Sequence, residues 1–486
     1  MRAFVGLTLL VLLVTRAPAT TYQVGSTRTY HTVGSLPALH PGDIVEIDPG
    51  LYNEVKRWTA AGTAAQPITI RGVGARLPVF DATGLVVDGV LPRPRAIFQV
   101  EADYITIANL SFRYATNGDN GAGIRVTSGN NVTVSNCVIT LCDMGMQSDN
   151  NSNLLVQSSE IASNGTALYN GYSHNFYLGG ISARIQNCYI HDSLYGQNFK
   201  TRAHYTELLY NYIADSQDGE VGLVDAAETA ATNSHAVMIG NIIVSKPRLS
   251  GYNSSRFIQF GQDSGGPHNG TLFAFNNTFI AGDNRIQFLS ANFSNSTIIA
   301  ENNLFYGSPQ LVGTVGGGVS GTSNWAPANA TIPSAFAQTV PGTDPKFINR
   351  TARDFRLTAN SPCRNQGVNT LNYVDGAGSA HSGIPVFEYL HPRQSRPRSS
   401  DGQLDQGALE YHAPVFNRIE MQGTSCLVTI NADFGVNYDL QFCSNLLTGT
   451  WTALLTNIPG TNGDLLFTDT NGAGRLRRFY RAKSSL

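Results

Sequence analysis

Lys200 and Arg202 lie two residues apart in Gly196-Gln-Asn-Phe-Lys-Thr-Arg-Ala203. Side chains alternate along a strand, so a strand here sets Phe199 and Thr201 on one face and Asn198, Lys200 and Arg202 on the other. Two cations on one face can neutralise an anionic group. A neighbouring cation also lowers a lysine's pKa toward the range of a base. His174, Tyr177 and His204 carry protons that a leaving oxygen could take. Each residue also has a plainer reading. Lys200 and Arg202 can be a solvated pair of cations on an exposed sheet face, bonded to Asp149 or Asp225. His174 can cap a strand start, and Tyr177 can be an exposed ring or a platform for a sugar.

Positioning these residues requires a stack of short strands. Apolar-polar alternation recurs at 123–127, 145–149, 174–179, 197–202, 221–225, 257–261 and 286–289. If Met146, Phe176 and Phe199 stack inside, then Gln147, Tyr177 and Lys200 share an outer column. Asp149, Gly179 and Arg202 share the next, Asn175 lies beside Asn198, and Gln259 lies further along the same face. Asn175, Asn198, Gln147, Asp149, Asp225 and Gln259 are therefore the candidate substrate-binding residues. In 221–225 either Val224 or Asp225 faces out, since a one-residue slip reverses every side chain. Asp225 outward is preferred, because a buried unpaired carboxylate is costly.

After each of these strands comes a second with a polar corner, as in Val132-Thr-Val-Ser-Asn-Cys137 and Ala183-Arg-Ile-Gln-Asn-Cys188. The corners end at 110, 137, 159, 188, 211, 241, 277 and 303, a spacing within the range of repeat proteins. Stacked repeats bury together what one repeat cannot. Asn, Ser and Cys in the corner column suit a ladder of side-chain hydrogen bonds, which makes Cys137 and Cys188 structural thiols.

The chain has 486 residues, 49 glycines, a net charge of -2 and 14% charged residues. No broad basic surface follows, which argues against nucleic acid as a partner. At the N-terminus, Arg2, the apolar run from Phe4 to Val14 and Ala17-Pro-Ala19 read as a cleaved export signal over 1–19. A secreted monomer is expected, with no membrane span in the mature chain. Six cysteines lack metal-finger spacing, so no metal site is assigned, and Cys426 and Cys443 are close enough in sequence to pair.

Pro41-Gly-Asp-Ile-Val-Glu-Ile-Asp-Pro-Gly-Leu-Tyr52, Pro67-Ile-Thr-Ile-Arg-Gly72 and Pro78-Val-Phe-Asp81 resemble the opening rungs of secreted right-handed parallel β-helix proteins of the pectate-lyase-like superfamily. Asp344-Pro-Lys-Phe347, Asp354-Phe-Arg-Leu357, Ser361-Pro-Cys363 and Asp405-Gln-Gly-Ala-Leu-Glu-Tyr411 resemble the closing segment of such chains. The resemblance covers roughly residues 22 to 411. The fold class expected is all-β. A right-handed parallel β-helix with a C-terminal capping segment fills 20–411, and a small β-sandwich-like domain fills 415–486. The segment at 344–411 would shield the last rung.

Lys200-Thr-Arg-Ala-His-Tyr-Thr-Glu-Leu-Leu-Tyr-Asn211 is similar to the lysine-bearing rung of the chondroitinase B and alginate lyase family. The resemblance implies that Lys200 removes the proton α to a uronate carboxylate, starting β-elimination of an acidic polysaccharide. An acidic residue that helps hold calcium precedes the lysine in that family. Here Gln197, Asn198 and Phe199 stand in those positions, so calcium is left open rather than expected. The family's arginine on the next rung is replaced by Gly222 to Asp225, which makes Arg202 the substitute. One alternative is a glycoside hydrolase, needing two carboxylates from Asp149, Glu220 and Asp225. Another is a groove that binds polysaccharide without turnover.

Overall fold

The structure is a computed structural model. It describes residues 19–247, 256–283, 285–307, 310–399, 401–412, 415–432, 436–447, 449–461, 463–472 and 477–485. The export signal read over 1–19 lies outside these residues apart from Ala19. Among the described residues no helix is long and apolar enough to cross a membrane.

Short strands wind into a parallel β-helix of three sheets, with 13, 12 and 10 strands. Each coil visits the 10-stranded sheet, then the 13-stranded sheet, then the 12-stranded one. Phe199–Thr201, Tyr205–Leu209 and Tyr212–Ala214 form one such coil. The apolar pairs after each polar corner make the third sheet. The alternation read from sequence sets the register: Met146 pairs with Phe176 and Phe176 with Phe199. These side chains are fully buried and stack along the interior. Gln147, Tyr177 and Lys200 form the adjoining outer column.

The corner column forms a ladder of side-chain hydrogen bonds from Cys188 to Asn303. The Asn211 backbone N–H donates to Asn241 Oδ1 at 3.0 Å, Asn241 to Asn277 at 3.0 Å, and Asn277 to Asn303 at 2.9 Å. Earlier in the same column, the Cys137 N–H donates to Ser159 Oγ at 3.1 Å and the Cys188 N–H to Asn211 Oδ1 at 2.9 Å. The preceding residue turns the chain with positive φ, as at Asn109, Asn136, Asn187 and Asn276. Asparagine tolerates that conformation better than most residues. Tyr210 adopts it too, at φ 55, and its hydroxyl accepts the Val386 N–H at 3.1 Å.

That contact belongs to the segment expected to shield the last coil. It packs instead along the sides of the solenoid as a strap of three hairpins: Phe347–Asn349 with Asp354–Leu357, Asn372–Val374 with Ala380–Ser382, and Phe387–Leu390 with Gln394–Pro397. Phe355, Tyr389 and Leu409 pack on Tyr212, Ile242 and Ile280 of the third sheet. Leu371 and Leu404 pack on Tyr210, Val237 and Phe275 of the 13-stranded sheet. The physical reason is apolar outer faces: in these coils aromatic and aliphatic residues face outward from both sheets and need cover. Among the described residues, these apolar contacts of the strap leave clear the sheet that carries Lys200.

Residues beyond 415 form two three-stranded antiparallel sheets, Val415–Gln422, Ser425–Ala432 and Gly463–Asp469, and Thr452–Pro459, Asn437–Cys443 and Phe479–Ser485. Val428, Ile430, Tyr438, Leu440 and Phe467 share one core between them. Cys426 and Cys443, near enough in sequence to pair, are not bonded to each other. Both are free buried thiols, on strands of different sheets.

Candidate functional site

Lys200 sits mid-strand, facing away from the core, yet it is only 7% exposed. Its Nζ donates to Asp263 Oδ2 at 2.9 Å. Arg202 Nη2 donates to the same oxygen, also at 2.9 Å. Arg202 Nε donates to the Tyr177 hydroxyl at 2.9 Å, and Nη1 donates to the Asp225 backbone carbonyl. Both cations lie 6.0 Å from the Tyr177 ring centre. Lys200, Arg202 and Tyr177 are thus brought together, and Asp263 joins them. Burial favours a protonated Asp263, but Lys200 and Arg202 outweigh it and hold the carboxyl below its ordinary range.

Asp263 was not legible as a site residue. Two coils separate it from Lys200: Lys200 pairs with Gly222, and Gly222 with Gln259. Asp263 then follows on the loop beyond Gly261. The turn-rich Gly261-Gln-Asp-Ser-Gly-Gly-Pro267 is the one signal in its favour.

The other expected residues divide. Gln147 and Asp149 do share the outer face, where both accept from Arg125, at 2.7 and 2.8 Å. The Asp149 side chain is 41% exposed and open to solvent, whereas Gln147 is buried. Gln259 lies on the column beside Gly222, but it is buried and its Nε2 donates to the Gln262 carbonyl at 3.0 Å.

Asn175 and Asn198 are not on the groove. The strands begin at Phe176 and Phe199, so alternation does not extend back to them. They are fully buried in a second ladder, in which Asn164 Nδ2 donates to Asn175 Oδ1, Asn175 Nδ2 to Asn198 Oδ1, and Asn198 Nδ2 to Glu220 Oε2, at 2.8, 2.8 and 2.7 Å. His174 is buried as well, and its Nδ1 accepts the Gln197 N–H at 2.9 Å. Burial, then Lys200 and Arg202, hold its pKa well below the ordinary value, so the ring is neutral. It supports Tyr177 from beneath, 5.5 Å between ring centres. His204 faces the strap, with Nε2 3.2 Å from the Gly376 carbonyl oxygen.

Asp225 lies on the side of Arg202, its carboxylate 3.9 Å from Nη1. Gly222 pairs with Lys200 and Val224 with Gly261, which leaves Val221 and Leu223 inside. Asp225, just past the strand, is buried without being unpaired. Its carboxylate accepts the backbone N–H groups of Asp263, of Ser264 at 2.9 Å and of Gly266 at 2.6 Å. The carboxylates near Lys200 are therefore committed to cations and amides, and this donor set does not fit a calcium ion. Among the described residues no cluster of three or more His, Cys, Asp or Glu side chains is arranged to hold a metal.

Glu220 ends the second ladder. Burial raises its carboxyl to about 7, against the pull of Arg285 and Asn198. A raised acid is a stabilising contribution below its unfolded pKa that is lost as pH rises through the folded one. Stability is expected to fall by about 3 kcal/mol between pH 4.5 and 7 from this group. Denaturant midpoints across that range test it. An equal fall in Glu220→Gln would assign the fall elsewhere.

A cavity of 520 Å³ opens between the 13-stranded sheet and the strap, lined by Arg184, Tyr205, Glu207 and Asp375 among others. Its Glu207 carboxylate is taken by Arg184, Tyr205 and Tyr373. It lies on another face from Lys200.

A family model described as a right-handed β-helix region matches residues 95–196. No curated protein matches the chain. Among solved structures, pectate lyase Pel9A is similar at 16% identity and TM-score 0.51, over 82% of this chain and 97% of that one. An alginate lyase from Paenibacillus sp. str. FPU-7 is 18% identical, with TM-score 0.39, over 67% and 99%. A rhamnogalacturonan lyase is 14% identical, with TM-score 0.39, over 66% and 84%. The family model and the likeness to Pel9A give the fold: a right-handed parallel β-helix.

Proposed function

We propose that this chain is an extracellular polysaccharide-processing enzyme, a lyase that cleaves an acidic, uronate-containing polysaccharide by β-elimination. One observation carries the reading. Lys200 and Arg202 stand side by side on the face the strap leaves clear, both directed at one carboxylate oxygen 2.9 Å away. A uronate carboxylate needs that arrangement as charge develops beside it. A long sheet face also suits an extended polymer, though fold alone does not assign a reaction.

In the reaction, the Lys200 amine takes the proton α to the carboxylate. The C–H electron pair becomes the new double bond, and the bond to the glycosidic oxygen on the β carbon breaks. Arg202 neutralises the carboxylate as charge develops beside it. The Tyr177 hydroxyl accepts from Arg202 and keeps its own proton, which it can give to the leaving oxygen. The hydrolase alternative loses its carboxylate pair: Glu220 is fully buried and Asp225 is held by backbone amides.

Purified protein incubated with alginate, pectate, chondroitin, dermatan or hyaluronan is expected to produce the ultraviolet absorbance of an unsaturated uronate on one of them, with or without EDTA. New reducing ends without that absorbance would replace the reading with hydrolysis. The second reading, binding without turnover, is favoured by Lys200 being held by Asp263. Retention on an immobilised polymer with no product would select it.

A further inference from the structure

We infer that Asp263 is a displaceable latch: an internal carboxylate occupying the place of a substrate carboxylate, which must leave Arg202 and Lys200 before a uronate can bind. The inference rests on the groove being the uronate site. It adds that the resting site is closed by the protein's own anion.

The three partners are held unequally. Arg202 is fixed without Asp263, through Tyr177 and the Asp225 carbonyl. The backbone under Asp263 is fixed as well. Its N–H, with those of Ser264 and Gly266, donates to the Asp225 carboxylate, and Gln259 Nε2 and Asn292 Nδ2 both donate to the Gln262 carbonyl. Glycines at φ 105 and 90, Gly261 and Gly265, allow the chain to close this turn. What is left to move is the Asp263 side chain, which is 26% exposed at the mouth of the site. Rotation about its own bonds carries the carboxylate into water with no change in the loop. Lys200 is the dependent partner, since its hydrogen bond among the described residues is to Asp263.

This arrangement has a chemical consequence. While Asp263 is in place, the Lys200 amine is engaged by its carboxylate and is not directed at a substrate proton. A ligand bearing a carboxylate can take over Arg202 and release the latch. A neutral sugar has nothing to exchange for the two charge-assisted hydrogen bonds. The site thus selects for a free carboxylate before any chemistry occurs.

The test uses monosaccharides, which contain no glycosidic bond to eliminate, so binding is read apart from turnover. Galacturonate, mannuronate and glucuronate are titrated into the full chain by NMR, with galactose as the neutral control. A latch closed about nine-tenths of the time weakens a ligand about tenfold, so Asp263→Asn is expected to lower the uronate Kd about tenfold and leave galactose unchanged. Asp263→Glu, which keeps the carboxylate, is expected to restore the weak binding. Asp263→Ser serves if Asp263→Asn does not fold. Unchanged or weaker uronate binding in the opened variants overturns the latch, and so does equal tightening for galactose. Tighter uronate binding by a protein that forms no unsaturated product on any polymer supports the latch and discards the lyase.

Discussion

Lys200→Ala is expected to lower kcat on the cleaved polymer by about 10²–10⁴-fold, the usual contribution of a positioned base. KM should change little, because Arg202 keeps its contacts to Tyr177 and the Asp225 carbonyl and still meets the carboxylate. Lys200→Arg separates charge from basicity. It restores a cation beside Asp263, yet a guanidinium stays protonated at all working pH values, so this variant should be as slow as the alanine one. If Lys200→Arg turns over normally, the role of Lys200 is charge alone and the base is elsewhere. If Lys200→Ala does, the mechanism is wrong. Phe199 and Thr201 on either side are buried, so retention of the thermal melting profile shows that the coil is intact.

The largest loss of stability is expected from Glu388→Ala, in the strap. Glu388 is completely buried. Its Oε2 accepts from Arg396 Nε at 2.8 Å and from His412 Nε2 at 2.9 Å, while Oε1 accepts the Glu410 N–H. Burial opposes ionisation, but His412 and Arg396 overcome it and bring the carboxyl down to about 2. Removing one side of such a buried pair costs about 3–5 kcal/mol, because the charges facing it stay in a dry place. The depressed pKa gives the same group a pH signature. Its contribution is present above its unfolded value of 4.5 and is lost as pH falls through about 2. Denaturant midpoints of wild type and Glu388→Ala should therefore differ most near neutrality and converge in acid. A constant difference at all pH values would mean that the loss is of packing and not of the carboxylate.

Much of the architecture is readable in the sequence for a simple reason. A solenoid repeats by translation, so local alternation also fixes what lies above and below. Phe176 over Phe199 and Tyr177 beside Lys200 follow from two short strands and a common spacing. The corner asparagines are legible because positive φ and ladder bonding both favour that residue type. The reading fails where translation ends. Asn175 and Asn198 precede their strands, and Asp225 follows its own, so alternation no longer says which way they point. Asp263 reaches Lys200 across 63 positions through a loop whose path no period dictates. The strap escapes for the same reason. Its apolar residues show that it needs a partner, but not which flank of the solenoid supplies it.

The strap also alters how the molecule comes apart. A bare solenoid is close to one-dimensional: each coil leans on its two neighbours, and unfolding can fray inward from either end. Here a chain segment from the far C-terminal side grips coils spanning Tyr212 to Trp325, through Tyr389, Phe355 and Leu357. Those coils become one cooperative block, closed by contacts between residues far apart in the chain. Coils before about residue 150 keep the nearest-neighbour behaviour. During synthesis the block that carries Lys200 and Asp263 is completed only after the strap has been made, well after its own coils have left the ribosome.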